Sequence, residues 1–157
     1  MNRRAVAHAA GIGVLAGLAG GFAEVIWIWA YAAVTKNDAS LVARAVTAAV
    51  RLNQDTFPVA SGIAIHMGLA ATLGVVVALA MRSVAGVQQG LALYATVSAA
   101  LLIVWAINFC VVLPLVSPEF VDVVPYAVSP LSKLLFGIAA ASTFQLAWLS
   151  PAPRQPG

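Results

Sequence analysis

GLAGGFAEVIWIWAYAA, Gly17 to Ala33, places one carboxylate, Glu24, inside an apolar run long enough to cross a bilayer. Between His8 and Lys36 no other side chain carries a formal charge. A helix here would hold an acid at membrane depth, where ionisable groups are expensive and usually functional. Its direction follows from helical spacing. Gly13, Gly17 and Gly21 recur every four residues below Glu24, with Gly20 beside them. Small residues in a row let a second helix approach, so this face, Glu24 included, is expected to meet protein rather than lipid.

The rest of the composition agrees with a membrane setting. The chain has 157 residues, 62% of them hydrophobic and only 8% charged, with a mean hydropathy of +0.98. A soluble domain carries about 25% charged residues. Four apolar runs fill most of the length and leave no stretch for a separate water-soluble catalytic domain. The net charge of +3 is too small and scattered for a nucleic-acid surface. The lone Cys110 excludes an intrachain disulfide and any paired-cysteine metal motif, and its apolar setting reads as packing.

Taken in order, the chain predicts an all-α, integral membrane four-helix bundle, a single domain over 1–149 with spans at about 7–34, 58–81, 91–113 and 130–149. The first apolar run continues through EVIWIWAYAAV without a polar break, which reads as a span rather than a cleaved leader. Between the first two spans, Asn37 or Asp38 can cap an amphipathic helix with Arg44 and Arg51 on one face, expected to lie along the membrane surface. Between the last two, Ser117-Pro118-Glu119 reads as cap, first-turn proline and dipole-matched acid, predicting a short half-helix to Val124. Pro114 is expected to end or kink the third span. The proline-rich tail, 150–157, is expected to be disordered.

Each later span also carries a polar residue. His66 shares its face with Gly62 and Ala70, Asn108 lies one turn beyond Trp105, and Lys133 continues into Gly137. At 1.5 Å per residue, Glu24 lies about 10 Å below Tyr31, His66 about 12 Å below Pro58 and Asn108 about 9 Å below Pro114, all at one level. Lys133 would stand above that layer, at about 5 Å, forming a mouth with Glu119 or Asp122. Its place in a first helical turn, where the dipole disfavours a cation, calls for a compensating acid.

Glu24, His66 and Asn108 therefore form the expected ligand or proton site. The competing reading is interhelical glue, with each hydrogen-bonded pair contributing about 0.6 to 2 kcal/mol. No cofactor is favoured. Two ligands and a poor third do not complete a metal site, and one histidine at depth leaves a haem short of a second axial ligand within the chain.

The stretches AGGFAEVIWIW (Ala19 to Trp29), GIAIHM (Gly62 to Met67) and NFCVVLPLVSPEFVDVVPYAVSPLSKLLFG (Asn108 to Gly137) resemble small bacterial inner-membrane proteins without an assigned function. That resemblance covers most of the chain and implies a four-span fold in a bacterial membrane. It carries no catalytic residue across. Two functions of different class follow: a non-enzymatic accessory or self-associating component, as a homo-oligomer or a subunit of a larger membrane complex, or a small carrier or proton pathway. A metal- or haem-binding subunit is a further alternative. Arg3, Arg4 and Arg82 closely flank their spans, which favours both termini in the cytoplasm.

Overall fold

The computed structural model describes residues 3–50, 57–83, 89–123, 126 and 128–149, without the side chains of Val121 and Asp122. Every regular element among them is helical: α1 (Arg3–Thr35), α2 (Ser40–Ala49), α3 (Pro58–Met81), α4 (Gly90–Ile107), a π-helical turn (Asn108–Val112), α5 (Leu113–Val116), α6 (Pro118–Val123) and α7 (Ser129–Leu149). The tail at 150–157, Arg51 and the Asp122 side chain, each given a place in the sequence reading, lie outside the described residues. Three helical stretches are long and apolar enough to cross a membrane: α1, α3, and the run Gly90–Val116.

Local chemistry sets the ends. At Lys36 the chain turns left-handed, with φ 57°, and the Asn37 N–H reaches back to the Ala32 carbonyl at 3.0 Å, a Schellman closure built on a non-glycine residue. Asp38 then accepts from both the Ser40 hydroxyl, at 2.9 Å, and the Ser40 backbone N–H, at 2.8 Å, and so starts α2. Those two bonds hold its carboxyl below the usual carboxylate range. Pro58 occupies the first turn of α3, as its fixed φ and missing N–H favour.

Helix α1 packs against α3 on one side and α7 on the other, while α4 packs chiefly on α7 and α2 on α3. The two inner helices, α1 and α7, therefore hold the outer two together. A single apolar core runs through all four long helices, from Ala16 on α1 and Ala70 on α3 to Leu93, Val97 and Leu101 on α4 and Phe136, Ala140 and Phe144 on α7.

The α1–α3 contact is a backbone approach made possible by small residues. A Cβ added at Gly17 would strike the Ala70 carbonyl oxygen, and one added at Gly74 would strike the Gly13 carbonyl; at Gly13 it would fall 2.6 Å from the Val75 Cα. Gly21 faces Ala70 and His66, Gly62 lies against the Ala43 carbonyl of α2, and Gly137 meets Ser98 of α4. The expected packing glycines, Gly13, Gly17, Gly20, Gly21, Gly62 and Gly137, all lie at such contacts, whereas Gly11 faces open space.

Of the two outcomes expected at Pro114, an end or a kink, the end does not occur, since the helix continues to Val116; the ladder is instead distorted just before the proline by a wider π-turn, which accommodates a residue whose ring and missing N–H do not suit an α-helical ladder. The inward side of α2 centres on Thr47, whose hydroxyl donates to the Pro58 carbonyl at 2.6 Å. Arg44 remains on the exposed side.

Because backbone atoms cannot withdraw as a flexible side chain can, Gly17→Leu and Gly74→Leu are each expected to lower stability by about 3 kcal/mol or more. Gly11→Leu should be near neutral. Thermal unfolding of the three variants in one mild detergent checks this, and equal midpoints would remove the close-approach account.

Candidate functional site

Glu24 lies on α1 where that helix faces both neighbours, and it is buried, at 4% exposure. Its Oε1 is 2.6 Å from the Lys133 ammonium of α7 and accepts from the Ser132 hydroxyl at 3.1 Å. Its Oε2 is 3.7 Å from His66 Nε2 of α3 and, though buried, has no hydrogen-bond partner. His66 Nε2 also lies 3.3 Å from the Gly21 carbonyl, so a proton on that nitrogen is directed first to the α1 backbone. One carboxylate thus joins three helices.

The surroundings explain why Lys133 reaches it. Gly20 leaves room for the Phe136 ring, and Lys133 Nζ lies over that ring, 5.7 Å from its centroid. The start of α7 is fixed from two sides: Trp27 of α1 donates to the Val128 carbonyl at 3.2 Å, and Trp105 of α4 donates to the Ser129 hydroxyl at 2.6 Å. Ser132 has a second acceptor in the Ser129 carbonyl at 2.8 Å, so its single hydroxyl proton is shared between the helix and Glu24. Near the N-terminus of α7 a carboxylate is favoured by the helix dipole, and it offsets the unfavourable position of Lys133 in the same field.

Of the three residues expected to meet, Glu24 and His66 do and Asn108 does not. Asn108 is exposed. The inward stripe of α4 runs Leu93, Val97, Leu101 and on to Phe109 at four-residue spacing, with Trp105 in the same register, and Asn108 is one position off it. Depth alone, which aligned Asn108 with Glu24, says nothing about direction. Lys133 belongs to the site itself rather than to a mouth above it, because a depth counted at Cα ignores the four-carbon stem that carries the ammonium inward. Glu119 is exposed on α6 and has no ion pair with Lys133 among the described residues.

Ser132, Phe136 and Gly74 went unread in the sequence. Gly74 had a signal, since it extends the row Gly62, His66, Ala70 by one more step of four. Ser132 had none beyond its adjacency to Lys133.

Among the described residues no group of three His, Cys, Asp or Glu side chains comes together, so nothing in the geometry completes a metal site around Glu24 and His66. Cys110 is exposed. Comparison with protein families, curated proteins and solved structures finds no match to this chain. Its class is therefore read from the fold and the site: an all-helical membrane protein with an ion pair at the junction of three helices.

Breaking one half of a buried pair leaves the other charge uncompensated. Lys133→Met is expected to destabilise the protein by about 3 kcal/mol, the lower end for such a break because Lys133 is 23% exposed. The double variant Lys133→Met with Glu24→Gln should recover most of that loss. Thermal unfolding of the two single variants and the double variant supplies the cycle, and strict additivity would mean that the two side chains do not depend on each other.

Proposed function

We propose that this chain is a four-span protein of the bacterial inner membrane, with α7 as the fourth span and both termini in the cytoplasm. It acts as a non-enzymatic, self-associating component, with the Glu24 site locking its own helices together. The observation that carries the reading is Asn108, an exposed amide on a helix whose outer face is otherwise Ile103, Val104, Ile107, Val111 and Val112. An amide facing hydrocarbon without a partner costs several kcal/mol. Because it is both donor and acceptor, the same amide on a second copy can satisfy it across a two-fold axis. Arg3, Arg4 and Arg82 at one end support the orientation.

A second reading is favoured by one feature, the unpartnered Oε2 of Glu24 beside a histidine whose side chain is 27% exposed. A buried acceptor next to a reachable imidazole suits a proton pathway. In that case proteoliposomes containing the wild type take up protons and those containing Glu24→Gln do not. Normal uptake by a folded Glu24→Gln protein would leave the carboxylate as a lock alone.

For self-association, native mass measurement in mild detergent is expected to give a multimer for the wild type and a shift toward monomer for Asn108→Leu. Oxidative cross-linking of Val104→Cys, four residues before Asn108 on the same helical face, should follow the same order. A wild-type protein that is monomeric by mass and does not cross-link in a bilayer would overturn the reading.

A further inference from the structure

At the end of the molecule opposite Glu24, the start of α1, the end of α3 and the end of α7 enclose a cleft of about 290 Å³ lined by His8, Ala9, Ile12, Arg82 and Trp148. Its lining combines the cationic Arg82 and the imidazole of His8 with the apolar Ala9, Ile12 and Trp148. Arg82 follows directly on the last residue of α3, and its guanidinium donates through one nitrogen to the Ala5 carbonyl of α1. That bond fixes the head of the side chain across the gap between the two helices and leaves further N–H groups for a ligand. His8 has an exposed ring with no hydrogen bond among the described residues, and either of its protonation states offers an N–H donor. Trp148 stacks on Phe144, with ring centroids 5.2 Å apart, so the apolar wall is rigid.

Three features put this cleft at headgroup level. Helix α1 has 33 residues, roughly 50 Å of length against a hydrocarbon core of about 30 Å, so its first turns extend past the core. Helix α3 ends at Met81, which brings Arg82 to the boundary. A tryptophan near the end of α7 is the residue type that gathers at that boundary.

From this arrangement we infer that the cleft binds a phosphate group, specifically the phosphodiester of an anionic phospholipid. Arg82 and His8 hold the phosphate oxygens, and Trp148 with Ile12 lies along the glycerol and upper acyl carbons. Arginine is suited to phosphate because its planar fork presents two parallel donors. The apolar floor distinguishes a lipid from a free phosphate, which would gain nothing from it. The site is independent of the Glu24 cluster and of the state of association.

The full chain, purified in a zwitterionic detergent, is offered equal amounts of phosphatidylglycerol and phosphatidylcholine, and retained lipid is read by native mass spectrometry. The wild type should retain phosphatidylglycerol about tenfold over phosphatidylcholine, because both lipids carry the phosphodiester but the choline ammonium of the second is repelled by Arg82. Arg82→Gln should reduce that preference, and His8→Leu should lower retention of both lipids, since it removes a donor to the phosphodiester they share. Since Arg82 also ties α3 to α1, His8→Leu decides the matter if Arg82→Gln fails to fold. Equal retention of the two lipids by the wild type, or phosphatidylglycerol retention by His8→Leu equal to that of the wild type, would overturn the site. Displacement of the lipid by millimolar inorganic phosphate would overturn the lipid assignment and leave a soluble phosphate as the ligand.

Discussion

A carboxylate withdrawn from water must be met by charge and hydrogen bonds, and Glu24 imposes that requirement on the whole fold. Its Oε1 is satisfied by α7 through Lys133 and Ser132, and its Oε2 faces α3 through His66. The helix that carries Glu24 must therefore be central. Packing allows it: the glycine row on α1 brings α3 to backbone distance, and Gly20 on the same helix admits Phe136 of α7. Charge and small residues act on the same helix to the same end, so neither the ion pair nor the close approach would be formed alone.

Much of this was legible because its causes are local. Hydrophobic run length gave the α3 bounds, Pro58–Met81, to the residue, and four-residue spacing aimed Gly17, Gly21 and Glu24 at protein. Lys133, a cation early in α7, called for an acid, which the sequence offered as Glu119 or Asp122 and the fold supplies as Glu24. What was not legible depends on pairing between helices. The order of packing, with α1 and α7 inside and α4 reaching the rest chiefly through α7, leaves no trace in any one segment. Asn108 illustrates the limit: its depth follows from counting residues, but its direction depends on which neighbour α4 chooses.

The two ends of the molecule differ in character. At the Glu24 end, Trp27 and Trp105 converge on Val128 and Ser129 and fix the start of α7, and Trp105 stacks on Phe109 of the π-turn, which Tyr126 meets edge to face. At the other end the cross-links among the described residues include Arg82 to Ala5, Tyr94 to Ser142, and Gln145 to the Gly90 N–H. The buried charge lies at the first end, and the open cleft at the second.

The Glu24 ion pair also sets a timetable for synthesis. Ser132 follows Glu24 by 108 residues, and Lys133 comes one residue later. At ribosomal speeds of about 5 to 20 residues per second, roughly 5 to 20 s separate the emergence of the acid from that of its partners. During that interval the first span must wait with its carboxylate protonated, hydrated or sheltered by the insertion machinery. Helix α7, made after the other three long helices, is the one that releases α1 from that dependence.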